Sequence, residues 1–166
     1  MKFRFFYDAL LNTYKPSLNL VIQVYKNILL AVDGSENNSI AVKDAVCIAK
    51  SMGAKLTAIH VMAGADLKPN AFGGDVSASE RADIAQKSAN EAFKEVKYLS
   101  EKAGVEVKMI TVGGTPANEI VKISDQYDLI VCGSLGATGL SKVFMGSVSE
   151  ALVRHSKCAV LVSRRP

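Results

Sequence analysis

The feature that most constrains this chain is a regular alternation of strand-like and helix-like blocks that begins at residue 26 and runs to the end. Lys26 to Asp33 (KNILLAVD) has a continuous apolar centre, the pattern of a strand buried on both faces. Gly34-Ser35 breaks it. Residues 36–52 then carry apolar side chains at 40, 41, 45, 48 and 49, a helical spacing, with Ser35 or Glu36 as the cap and Gly53 as the stop. Residues 55–62 (KLTAIHVM) read as a second strand, and 63–78, rich in Gly, Pro, Asp and Asn, as a long loop. A helix over Ser79–Ala103 ends at Gly104, and residues 105–111 alternate as a third strand. Thr115–Gln126 is predicted helical, with Pro116 suited to its first turn. Residues 128–132, 133–146, 147–155 and 158–163 complete the series as strand, glycine-rich loop, helix and strand. Such alternation implies a three-layer, doubly wound α/β fold: a five-stranded parallel sheet, order 3-2-1-4-5, with helices on both faces. The order reverses between the first and fourth strands. Ligands in such sheets bind at the carboxyl ends of the strands at that reversal, which sets Asp33 beside Gly133.

Composition narrows the class. With 49% hydrophobic and 22% charged residues in 166, the chain reads as one globular domain, its core mostly aliphatic because Trp is absent. The net charge of +4 comes with no basic stripe, which argues against a nucleic-acid partner. Cys47, Cys132 and Cys158 stand in apolar contexts without Cys-x-x-Cys or Cys/His ligand spacing. They are expected to be small buried hydrophobes in a reducing, cytoplasmic setting. Residues 1–24 start with Lys2 and Arg4, but Asp8, Asn12, Lys15 and Pro16 interrupt what a signal peptide would keep apolar. No apolar run approaches the ~18 residues of a membrane span. We therefore expect an N-terminal extension (1–24) ahead of one domain (25–166), and no membrane anchor. The extension could pack as a short helix through Phe3, Phe5, Phe6, Leu10 and Leu11, serve as a pairing arm, or reflect a start assigned too early.

The glycine-rich loop carries the chemistry. Gly133 and Gly136 follow the fourth strand, and Gly146-Ser147 opens the last helix. Glycines allow close backbone approach, and a helix N-terminus offers unpaired N–H groups and partial positive charge. Ser147 and Ser149 add hydroxyls there, so the set suits a di- or triphosphate. It is not a Walker loop: Lys142 lies inside it, but Gly-Lys-Ser/Thr is missing. A purely architectural role, turning a strand into a helix, is the competing reading. Asp33, in Asp-Gly-Ser, reads locally as turn chemistry and only its place opposite the loop makes it a binding residue.

The spacing Gly133-x2-Gly136-x9-Gly146-Ser147 resembles the signature of ATP-binding universal stress proteins. YKNILLAVDGSENN (25–38), IHV (59–61), GTPANEIV (114–121) and CAVLVSR (158–164) are similar to the family in order, so the resemblance spans about residues 25–164. It implies an adenine nucleotide alpha hydrolase-like fold binding ATP, or ADP or AMP. It further implies that Ala31 and Val32 line the adenine pocket, that Val61 closes it, and that Asp33 bonds the adenine or ribose side. Gly133 and Gly136 would approach the ribose and α-phosphate, while Gly146, Ser147, Val148 and Ser149 hold the phosphates. Cys132 stands where the family has an apolar residue before its first motif glycine. A Mg²⁺ or Mn²⁺ ion could bridge the phosphates with water as its other ligands.

His60, at a strand's carboxyl end, is weighed as a general base and preferred as a packed structural histidine. His155 is given no chemistry. No Gly-x-Ser-x-Gly elbow occurs. The last strand would be an exposed apolar edge, which pairing with a second copy through Cys158–Ser163 would cover; family resemblance points to the same homodimer. The expected function is thus a nucleotide-dependent stress-response or regulatory dimer, with the 63–78 loop as lid or partner surface. Hydrolysis is expected to be slow at most, because neither a placed base nor a P-loop lysine is visible. The alternatives are a slow ATPase or nucleotidyl-transfer enzyme, and a nucleotide-free dimeric interaction module.

Overall fold

The computed structural model describes residues 24–62, 77–135 and 145–164. In chain order these form β1 (Asn27–Val32), a 3-10 turn (Glu36–Asn38), α1 (Ser39–Met52), β2 (Lys55–Met62) and α2 (Ala78–Ala103). There follow β3 (Val107–Gly113), α3 (Pro116–Lys122), a second 3-10 turn (Ser124–Gln126), β4 (Leu129–Gly133), α4 (Ser147–His155) and β5 (Ala159–Ser163). The strands make one sheet in the order β3-β2-β1-β4-β5, every neighbouring pair parallel. The doubly wound topology read from the sequence is therefore the observed one.

Alternation along β1 explains the layers. Ile28, Leu30 and Val32 face α1 and α2, joining Ala41, Val42, Ala45 and Val96 in one core. Leu29 and Ala31 face α3 and α4, joining Ile120, Cys132 and Leu152 in the other. Both sides are closed to water, as a parallel central strand requires. Truncating a fully buried side chain such as Leu30 removes contacts and leaves a cavity, about 2–5 kcal/mol by the usual scale of such changes.

Several boundaries differ from expectation, each for a local reason. The third strand lies at 107–113 and not 105–111, because Val105 belongs to the end of α2. Its N–H bonds the Ser100 carbonyl at 2.9 Å while Gly104, at φ +69°, donates to Glu101, the two bonds of a Schellman cap. The helix expected over 115–126 stops at Lys122. Ser124, fully buried, donates its Oγ to the Val121 carbonyl and accepts from Lys157 N–H, so the chain is pulled into a 3-10 turn. The helix expected from residue 36 starts as a 3-10 turn and becomes α-helical at Ser39. Its inward stripe is Ala41, Val42, Ala45, Val46 and Ala49, with Ile40 and Ile48 only half-buried. The cysteines also need correction: Cys132 is buried, Cys158 is half-buried, but Cys47 is exposed. On α1 it falls between inward positions 46 and 49, on the outward side, despite apolar neighbours.

Candidate functional site

The carboxyl ends of β1 and β4 lie side by side where the order reverses. Asp33 follows β1 and is exposed. Its Oδ1 accepts from Ser35 N–H (3.0 Å) and Ser35 Oγ (2.8 Å), so one oxygen shapes the turn. Gly34 completes that turn at φ +75°, with α2 so near that an added Cβ would sit 3.2 Å from the Ala92 Cα. Across the reversal, Gly133 ends β4. A Cβ there would lie 3.3 Å from Asn38 Nδ2 and 3.3 Å from the Leu135 carbonyl.

The two arms of the glycine-rich loop are tied at their base. Ser134 N–H donates to the Ser163 carbonyl (2.9 Å), and the Ser134 carbonyl accepts from Gly146 N–H (2.8 Å). Gly146 is thereby fixed as the cap of α4 with extended backbone and no side-chain cap bond. The N–H groups of Ser147, Val148 and Ser149 form the first turn of α4, where no helix carbonyl reaches. The partial positive charge of that terminus adds to them. What the first turn presents is therefore backbone donors. Ser147 is exposed, whereas the buried Ser149 has its Oγ committed to the Gly146 carbonyl at 2.8 Å. Of the two hydroxyls expected at the phosphate, Ser147's is exposed and Ser149's donates within the first turn of the helix.

The residues assigned to the adenine pocket do not all share a face. Ala31, Val61 and Cys132 are buried together on the α3/α4 side. Val32 is buried on the α1/α2 side, so its side chain cannot line the same wall. Burial pushes the Cys132 thiol up to about 12, which makes it an apolar wall and not a nucleophile. Gly136 and most of the 63–78 loop lie outside the described residues. His60 is buried, and because a carbonyl only accepts, its Nδ1–H donates to the Val32 carbonyl (3.1 Å). Nε2 shares a hydrogen bond with Ser88 Oγ (3.0 Å), and Phe93 stands edge-on to the ring. It is the packed histidine expected.

Sequence reasoning missed Asn38. It is buried, its Nδ2 donates to the Ala31 carbonyl (3.1 Å), and it stands against Gly133. The visible signal was the pair Asn37-Asn38, separated from the Asp-Gly-Ser turn only by Glu36; asparagine is a residue type that bonds backbone at helix starts. No group of three or more His, Cys, Asp or Glu able to hold a metal occurs among the described residues. A cavity of about 510 Å³ opens at the opposite, amino end of the sheet, between Lys50, Lys55, Leu56, Gly104 and Lys108. Helices α1 and α2 end there, so their dipoles oppose an anion, and its lysines do not make it the phosphate site.

The sheet order and the helices on both of its faces define an adenine nucleotide alpha hydrolase-like domain. The universal stress protein family profile matches residues 24–164, and the chain belongs to that family. It is 36% identical over 158 residues to a universal stress protein of Methanocaldococcus jannaschii, 90% of each chain being covered. Among solved structures, the hypothetical protein MJ0577 superposes with a TM-score of 0.68 at 32% identity, covering 86% of this chain and 98% of that one. A universal stress protein crystallised with cAMP superposes at 0.65, with 23% identity and 86% and 99% covered. That neighbour binds an adenine nucleotide; at its identity the likeness to this chain is one of fold. No helix among the described residues is long and apolar enough to cross a membrane.

Proposed function

We propose that this chain is an ATP-binding universal stress protein, a nucleotide-dependent regulatory homodimer of the cytoplasm whose working unit is residues 25–166. The observation that carries the reading is the uncapped first turn of α4 beside Gly133. Three backbone N–H groups (Ser147, Val148, Ser149) face the switch point without a side-chain partner at Gly146. In this reading the phosphates lie over Gly133, Gly136 and the α4 terminus. The adenine packs against Ala31, Val61 and Cys132, with the backbone of Val32 at its edge, and Asp33 takes the ribose side. A Mg²⁺ or Mn²⁺ ion accompanying the phosphates would draw its ligands from phosphate and water.

The same geometry favours holding over turnover. His60 is locked between Val32 and Ser88, and the Cys132 thiol is held protonated by burial. Neither is placed to activate water. Isothermal titration of the purified chain with ATP, ADP and AMP tests the reading. Saturable binding is expected, weaker as phosphates are removed, with ATP recovered uncleaved. Absence of binding by all three at millimolar concentration would overturn it.

A further inference from the structure

The ladder between β1 and β4 ends before the strands do. Ile28 pairs with Leu129, Leu29 with Ile130 and Leu30 with Val131, and there the pairing stops. Yet β1 continues to Val32 and β4 to Gly133. On their outer sides both strands stay paired to the end, Val32 with His60 and Gly133 with Ser163. The parting is therefore local to the switch point and is not a fraying of the sheet.

The side chain of Asn38 stands at this parting. It is only 6% exposed, Nδ2 donates to the Ala31 carbonyl, and a Cβ on Gly133 would crowd that same Nδ2 at 3.3 Å. The amide's orientation follows from chemistry, since only the NH2 end can face a carbonyl. Oδ1 is therefore directed away from Ala31, and it is buried without a hydrogen-bond partner among the described residues. A buried amide oxygen without a donor is costly and asks for one. Phosphate oxygens are acceptors and cannot supply it. A ribose hydroxyl can, and the ribose is the part of a nucleotide that lies between a base on Ala31 and phosphates on α4.

We propose that Asn38 reads the ribose: Nδ2 holds the Ala31 carbonyl away from β4, and Oδ1 accepts a hydrogen bond from a ribose hydroxyl of the bound nucleotide. This rests on the nucleotide reading given above. The test titrates ATP, 2′-deoxyATP and 3′-deoxyATP into the full chain and into Asn38→Ala and Asn38→Ser. In the unaltered protein one deoxy analogue should bind about five- to ten-fold more weakly than ATP, the scale of one hydrogen bond. In Asn38→Ala that difference should vanish, ATP falling to the level of the analogue. Binding of ATP with equal affinity for all three nucleotides, or with a deoxy penalty unchanged in the variants, overturns the role of Asn38 and leaves the nucleotide reading standing. No binding of ATP to the unaltered chain overturns both. Should both variants fail to fold, the side-chain amide resonance of Asn38 in the unaltered chain decides. It should shift with ATP and not with the weaker analogue, and equal shifts overturn the proposal.

Discussion

Gly34 shows how one residue couples the site to the core. Its φ of +75° lies in the left-handed region, and an added Cβ would press on the backbone of Ala92 at 3.2 Å. Gly34→Ala should lose about 1–2 kcal/mol through the backbone alone, and more through the contact with α2. Urea denaturation reads this directly, and an unchanged midpoint would show that the turn can relax away from the helix. The cysteines offer a second test at the same scale. Cys47 is exposed while Cys132 is buried, its thiol raised to about 12 by desolvation. Iodoacetamide on the native chain at pH 8 should therefore modify Cys47 and spare Cys132 until denaturant is added, as peptide mass spectrometry would record. Early labelling at Cys132 would mean that the α3/α4 side of the sheet opens readily. The same residue shows where sequence reading goes astray. Cys47 lies among apolar residues in the chain, but only the helical phase of the buried stripe at 41, 42, 45, 46 and 49 reveals that it points outward.

Among the elements, β1 and β4 are joined at one end and parted at the other. At the amino end Asp128 closes the joint, its Oδ2 accepting from the N–H groups of Lys26 and Asn27, both at 2.8 Å. These donors, Asn27 first, hold the carboxyl below its ordinary value. A carboxyl depressed in the folded state contributes stability above its unfolded pKa, and that contribution is lost as pH falls through the folded value. Asp128→Asn should thus lower the urea midpoint at pH 7, and its deficit should shrink as pH drops below the carboxylate range. A deficit that is the same at pH 7 and pH 3 would mean that the charge is immaterial. The alternation that predicts strand order is local information: each block carries its own period, and right-handed crossovers leave few arrangements. The glycine loop was legible for the same reason, since Gly146-Ser147 marks a helix start in the sequence itself. Asn38 was not. Its burial depends on β1 and β4 separating beside it, a contact between residues some hundred positions apart in sequence. The bond from the Ser149 hydroxyl to the Gly146 carbonyl was not legible either, because the first turn of α4 is what brings the two together.

For the whole molecule, the open question is what covers β5. It is the outer strand of the sheet, and no further strand lies beyond it among the described residues. Its side chains are already in use: Val160 and Val162 pack on the α3/α4 core and Leu161 on the other. What remains at this edge, among the described residues, is backbone. The Ser163 carbonyl accepts from the N–H of Ser134, the residue just after β4, so by the alternation of a strand the N–H and C=O groups of Val160 and Val162 point outward. An apolar edge with open ladder positions invites a second copy, and two-fold pairing of two such edges satisfies both at once. The unaltered chain should therefore run as a dimer by light scattering. Val160→Pro removes one outward N–H at a position where an edge strand tolerates proline, and leaves the bonds to β4 in place. It should shift the species to monomer at micromolar concentration while the far-ultraviolet circular dichroism stays as before. A variant that remains dimeric would move the interface elsewhere. ATP added to the monomeric variant then separates two designs: retained affinity means each crevice is complete within one copy, whereas lost affinity means the partner's edge helps to hold the loop that begins at Ser134 beside Ser163.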